Sequence, residues 1–61
     1  MTKEFKQRID AIPPNGEWWK KSTRETFMQA ATMMTENGIS EDAAIETLEE
    51  LFGAVADEFG N

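Results

Sequence analysis

The fold is decided by the stretch Asn37-Gly38-Ile39-Ser40-Glu41-Asp42, in which one helix ends and another begins. Glycine adopts positive φ without steric cost, so Gly38 after Asn37 is typical of a helix C-terminus. Ser40 can accept a hydrogen bond from a free amide of the next helix, and the two acids after it favour the positive end of that helix dipole. The stretch therefore predicts two helices joined by a short turn.

The residues before this turn predict a helix with two possible starts. One face of that helix would carry Trp19, Thr23, Phe27, Ala30, Ala31 and Met34. Asn15 can cap the helix just before the two tryptophans, or Ser22-Thr23-Arg24-Glu25 can form a capping box further along the chain. We expect the earlier start, near Asn15.

The residues after the turn have the most regular apolar pattern of the chain. Spacings of three and four residues predict a buried stripe of Ile45, Leu48, Phe52, Val55 and Phe59. Ala44, Leu51 and Ala56 are expected to widen that stripe. Gly53 costs about 1 kcal/mol relative to alanine inside a helix, so this segment is either one helix or a helix followed by a short fourth piece.

A short first helix is predicted at the N-terminus. Thr2 can cap it, and Phe5, Ile9 and Ile12 fall on one face. Pro13-Pro14-Asn15-Gly16 should end this helix near Ile12, because proline disfavours helical backbone in the preceding residue and Asn-Gly tolerates positive φ.

Together these patterns predict an all-α fold, a single small domain over residues 1–61 with a compact three-helix arrangement. The short N-terminal helix would pack on a helical hairpin. The core between the second and third helices is predicted to contain Phe27, Ala31, Met34, Ile45, Leu48, Phe52 and Val55. Ile9 and Trp19 are expected to close one end.

The turn and the residues after it resemble two known helix-loop-helix units. The spacing of Gly38-Ile39-Ser40 with Ala44 and Leu48 resembles the first loop and second helix of ubiquitin-associated domains, although Asn37 stands where that family usually has methionine. The same stretch resembles a helix-turn-helix whose recognition helix would begin Glu41-Asp42-Ala43-Ala44-Ile45-Glu46. Carboxylates along that helix would oppose DNA phosphates. Neither resemblance transfers a function to this chain.

Charge is divided unevenly along the chain, which has a net charge of −6. The first 24 residues contain three acids and all six bases, namely Lys3, Lys6, Arg8, Lys20, Lys21 and Arg24. The remaining 37 residues contain nine acids and no base. Such a surface repels phosphate backbones and anionic lipid, so we expect no direct nucleic-acid binding and no membrane association. A protein with a basic surface is the expected partner.

The residue inventory argues against catalysis and against a bound metal or cofactor. The chain has no histidine, cysteine or tyrosine, and a chain this short can hardly enclose the desolvated cleft that a catalytic carboxylate pair needs. The glutamates of the third helix lack the histidine partners of di-iron bundles and the glycine spacing of an EF-hand loop. With no apolar run of about 20 residues and no signal-peptide pattern, we expect a cytoplasmic protein.

Nine residues are candidates for contact with a partner. They are Trp18, Lys20, Lys21, Met28, Met33, Asp42, Glu46, Glu49 and Glu50. Adjacent helical residues point about 100° apart, so we expect Trp19 to pack in the core and Trp18 to face solvent or a partner. The methionines lie off the core stripe, and the acids recur at each helical turn.

Three functions are compatible with this pattern. The first is a non-enzymatic adaptor or inhibitor that binds a basic protein. The second is a homo-oligomeric structural protein, such as a homodimer, whose chains pair through the apolar stripe of the third helix. The third is an inhibitor whose acidic helix imitates a nucleic acid and occupies a basic DNA- or RNA-binding protein. The brevity and charge of the chain also suit a phage or prophage accessory protein.

Overall fold

The computed structural model describes residues 2–59, with the backbone alone at Phe59. Within that range the chain forms α1 (Lys3–Asp10), α2 (Lys21–Glu36) and α3 (Glu41–Phe59), and no strand. The predicted all-α, three-helix arrangement is confirmed. No helix in these residues combines the length and the apolar character needed to cross a membrane.

The turn between α2 and α3 has the predicted geometry. Gly38 has φ of +89°, and its amide donates to the carbonyl of Thr35, while the Ile39 amide donates to the carbonyl of Met34. These two bonds form a Schellman motif, which satisfies carbonyls that a helix C-terminus leaves free. On the other side of the turn, the Ser40 hydroxyl accepts from the amide of Ala43 at 3.2 Å and caps α3.

Helix α2 begins later than predicted. It starts at Lys21, and the preceding residue, Lys20, has extended backbone with φ of −142° and ψ of 146°. The expected start near Asn15 is therefore wrong. The alternative capping box is not formed either, because Ser22 lies inside the helix and α2 has no side-chain cap.

Helix α1 is capped as predicted but ends two residues earlier. The Thr2 hydroxyl accepts from the amide of Phe5 at 3.1 Å, and the helix ends at Asp10. The proline segment then forms a tight turn, in which the Gly16 amide donates to the carbonyl of Pro13 at 2.9 Å. Gly16 has φ of +69°, which favours glycine. Pro13 is itself fully buried, so it contributes to the core as well as ending the helix.

Two ion pairs fix α1 against the hairpin. Arg24 of α2 donates two hydrogen bonds to the carboxylate of Asp10, at 2.6 and 3.1 Å. Arg8 donates one to Asp42 of α3 at 2.8 Å. The hydrogen bond to Asp10 and the charge of Asp10 raise the pKa of Arg24 above its ordinary value. Helix α1 therefore covers one side of the α2–α3 hairpin.

The core is shared by all three helices. Its buried side chains are Phe5, Ile9, Phe27, Ala31, Ala44, Ile45, Leu48 and Phe52. Met34 and Val55, both predicted to be core residues, are half-buried. Leu51 was expected to widen the buried stripe, but its side chain is 45% exposed because it lies on the side of α3 that α1 does not cover.

Helix α3 continues through Gly53, so the predicted alternative of a separate fourth piece is not found. The side chain of Phe59, which was assigned to the apolar stripe, lies outside the described residues.

The start of α2 and the end of α3, which lie at the far end of the hairpin from the turn, carry unfavourable charges. The first turn of α2 has Lys21 and no acid, and the last turn of α3 has Asp57 and Glu58 and no base.

Candidate functional site

The surface of α3 carries four exposed acids, which flank its buried residues or lie on the side away from them. We call this surface the acidic face, and it consists of Glu46, Glu49, Glu50 and Asp57. At about 1.5 Å of rise per residue it extends for about 16 Å along the helix. None of the four forms an ion pair with any residue that the structure describes. Their charge is therefore not neutralised within this part of the chain.

Asp42 was predicted to belong to the same row, but it pairs with Arg8 of α1. The structure thus separates Asp42 from the other three predicted acids, since its carboxylate already has a partner. The pair is exposed to solvent, with Asp42 at 86% side-chain exposure, so it is worth at most about 1 kcal/mol. The row of unpaired charges predicted to imitate a nucleic-acid backbone accordingly begins at Glu46, one helical turn later than the sequence indicates.

Gly53 lies in the middle of the acidic face. A methyl group added at this position would meet no atom within 4 Å, so close packing inside the molecule does not require glycine here. The residue leaves bare helix backbone between Glu49, Glu50 and Asp57. The sequence pattern indicates Gly53 only as a possible helix break and gives no signal for this shallow notch in the acidic face.

The two tryptophans have the opposite roles to those predicted. Trp18 packs against the core, with its ring centroid 4.9 Å from that of Phe27 and 5.6 Å from that of Phe52, both in edge-on geometry. Trp19 is 43% exposed and stacks on the other side of Phe52, with ring centroids 4.4 Å apart. The prediction assumed helical backbone at both residues, whereas they lie in the irregular segment before α2. Trp18 is therefore mainly structural, and Trp19 presents the accessible ring.

One polar atom of Trp18 has no partner. Its indole N–H is buried and makes no hydrogen bond to any residue in the described range. A buried donor without an acceptor is destabilising, so this atom lowers the stability gained from the packing of Trp18.

Lys20 and Lys21 follow Trp19 directly and are both exposed. Neither is in an ion pair with a described residue. They form a small basic area at the start of α2, separate from the acidic face. The structure therefore places the predicted basic and acidic candidates in two different regions.

Met28 and Met33 lie at the same shallow depression on the outer surface of α2. Gln29 and Thr32 complete its lining. Met28 is half-buried against the core, whereas Met33 is 63% exposed. The prediction that both methionines lie off the main core stripe is consistent with this placement. The depression is too open to enclose a small ligand, so it is better suited to contact with another macromolecule.

Within residues 2–59, no group of three or more acidic side chains has the arrangement of a metal site. The acids of the acidic face spread along the helix instead of converging on one point. Comparison of the chain with protein-family models, with curated proteins and with solved structures found no match.

Proposed function

We propose that this protein is a non-enzymatic adaptor or inhibitor that binds the basic surface of a partner protein through the acidic face of α3. The observation that carries the proposal is the set of four exposed acids without intramolecular ion pairs in the described chain. Such a surface attracts a basic partner and accelerates their encounter. We place this interaction in the cytoplasm.

Gly53 supports a docking role for the same face. Glycine weakens a helix interior by about 1 kcal/mol relative to alanine, and no contact within the described protein compensates for this loss. Bare backbone would allow a partner side chain to approach the helix axis closely. An arginine is well suited to the notch, because its fork of donors can bind neighbouring carboxylates while its apolar stem lies on the helix.

The proposal is tested by capture from a lysate of the native host, with the protein immobilised and bound proteins quantified by mass spectrometry. The face variant is Glu46→Gln/Glu49→Gln/Glu50→Gln. We expect it to bind the partner about three- to 150-fold more weakly, because three exposed ion pairs at about 0.2–1 kcal/mol each total about 0.6–3 kcal/mol. Raising the salt concentration should weaken the wild-type complex, since exposed charges are screened.

A matched control separates the acidic face from net charge. The variant Glu4→Gln/Glu17→Gln/Glu25→Gln removes the same amount of charge from exposed positions outside α3. It should retain the partner at nearly wild-type affinity. Equal losses in both triple variants would show that only total charge matters, and equal retention would exclude the acidic face as the binding surface.

The notch is tested separately with Gly53→Gln, which fills it without changing the charge. If a partner side chain contacts the backbone there, this variant should lose affinity while remaining folded by circular dichroism. Unchanged affinity would remove the notch from the proposal and leave the carboxylates as the binding determinant.

A further inference from the structure

The side of the α2–α3 hairpin opposite α1 is unusually poor in charge. The ion pairs of α1 reach Arg24 on α2 and Asp42 on α3, which fixes α1 on one side of the hairpin. Helical periodicity places a different set of residues on the other side. We call this set the open face, and it comprises Thr26, Ala30 and Met33 from α2 with Ala43, Thr47, Leu51 and Ala54 from α3.

No residue of the open face is charged, although 30% of the chain consists of charged residues. Glu50 of the acidic face borders it on α3. Glu58 points in a similar direction on α3. Measured along the hairpin axis from the turn, however, it lies farther away than the first residue of α2. The two largest side chains of the face are also among the most exposed apolar residues of the protein, with Met33 at 63% and Leu51 at 45%. Exposed apolar residues on an uncharged surface are typical of an interaction site.

The two threonines of the open face are prepared for burial. The hydroxyl of Thr26 donates to the carbonyl of Ser22 at 2.9 Å, and that of Thr47 donates to the carbonyl of Ala43 at 2.9 Å. Each hydroxyl thus has a partner in its own helix. Covering these side chains would not leave a donor unsatisfied, so the face can lose its water at little cost.

The open face is large enough to form an interface. It is about 24 Å long and about 20 Å wide, from helix rise and the diameter of two adjacent helices, so its area is about 500 Å².

The open face is self-complementary. Because α2 and α3 are antiparallel, Met33 lies level with Ala44, each being three residues from the turn end of its helix. Thr26 and Leu51 are likewise each ten residues from that end. A twofold axis that is parallel to the helices and lies between two facing open faces would place α2 of one copy over α3 of the other. Met33 would then lie over the small residues near Ala43, and Leu51 over the small residues near Thr26.

We propose that two copies of this chain pair through their open faces and form a four-helix core from two α2–α3 hairpins. Charge favours a second copy as the occupant, since each chain carries −6 and the open face is where two copies can meet without opposing carboxylates. The buried area would be about 1,000 Å², near the lower limit for a specific interface, so we expect a weak dimer whose population depends on concentration. This proposal is independent of binding at the acidic face.

The pairing differs from the one expected from sequence alone. That expectation used the stripe of Ile45, Leu48 and Phe52, but these side chains are buried within a single chain. Pairing through the open face leaves that core intact and leaves the acidic face of each copy accessible.

Sedimentation equilibrium between about 10 μM and about 1 mM tests the proposal. We expect the mass to rise from 6.9 kDa toward twice that value, and dimerisation to strengthen with salt because the two copies repel each other. Binding of a basic partner to the acidic face should weaken with salt, so the two proposals can fail separately. A chain that remains monomeric throughout this range would overturn dimerisation. The same result is expected if a helix of another protein, and not a second copy, covers the open face.

Leu51→Glu and Met33→Glu should each raise the dissociation constant at least about tenfold, and both should remain folded because these positions are exposed. Gln7→Glu adds the same charge to an exposed position of α1 and serves as the matched control. Its dimerisation should be nearly unchanged. A dimer that tolerates Leu51→Glu and Met33→Glu would show that another surface pairs the chains.

The orientation can be tested because the chain contains no cysteine. Single-cysteine variants Thr26→Cys and Leu51→Cys are mixed and oxidised at high concentration. The proposed twofold axis places position 26 of one copy opposite position 51 of the other. The disulfide between the two different variants should therefore exceed the proportion expected from random pairing. An excess of either like-with-like disulfide would overturn this arrangement.

Discussion

Replacing Gly53 with alanine should stabilise the protein by about 1 kcal/mol. Glycine has the lower helix propensity because its backbone loses more conformational freedom on folding, and the difference is about 0.8–1 kcal/mol inside a helix. No steric clash reduces this gain in stability, since a methyl group at position 53 has open space around it. For a domain of this size we expect the melting temperature to rise by about 4–8 °C.

Gly38→Ala is the matched control. It makes the same chemical change in the turn, where φ is +89°. A left-handed backbone conformation costs a residue with a β-carbon about 1–2 kcal/mol, so this variant should be destabilised. The two glycines should therefore respond with opposite signs to one substitution.

Urea unfolding followed by far-UV circular dichroism measures both free energies. A lower midpoint for Gly53→Ala, or no change, would refute the reasoning. It would mean that α3 is not a regular helix at Gly53 or that this position is covered in solution. If the open face pairs two chains, the measurement should be made well below the dissociation constant, because dimerisation adds to apparent stability.

Three further outcomes are expected. Trp18→Ala should cost about 3 kcal/mol in urea unfolding and Trp19→Ala only about 1 kcal/mol, because the first ring packs inside and the second is half exposed; the reverse order would contradict the assigned roles. Ser40→Ala should cost about 1 kcal/mol in the same assay through loss of the cap of α3, and an unchanged midpoint would show that the cap contributes nothing. No binding to duplex DNA is expected in a gel-shift titration at physiological salt, and a tight, sequence-dependent complex would contradict the charge argument.

Local signals predicted the hairpin well. Gly38 and Ser40 each act through hydrogen bonds to residues within five positions along the chain, so the sequence contains the information needed to place the turn. The apolar spacing of α3 was equally informative, because the buried residues of a helix with one covered side recur every three or four positions. Phe27, Ala31, Leu48 and other predicted core residues are buried for this reason.

The start of α2 and the roles of the tryptophans were not predictable in the same way. Residues 11–20 form turns and extended backbone, and their course depends on tertiary contacts such as the burial of Pro13 and the pairing of Asp10 with Arg24. Helical geometry therefore does not describe Trp18 and Trp19, which precede α2. Ser22 has a preference for the cap position, but α2 begins one residue before it.

The candidate surfaces could be predicted only in part. Exposure of Glu46 and Glu50 follows from their position away from the apolar stripe, whereas Glu49 flanks that stripe and is exposed beside it. The pairing of Asp42 with Arg8 spans 34 residues and depends on where α1 packs, which no local pattern indicates. The exposure of Leu51 has the same cause, because it depends on which side of the hairpin α1 occupies.

The unequal ends of the hairpin have a consequence for its internal motions. At the turn, the Schellman motif and the Asn37 side chain, which donates to the carbonyl of Met33 at 2.7 Å, close the end of α2, and the Ser40 cap closes the start of α3. At the other end, α2 begins without a cap and the charges oppose both helix dipoles. Local opening should therefore begin in the first turn of α2 and the last turn of α3. Amide hydrogen exchange should be faster there than at the buried residues Phe27 and Leu48.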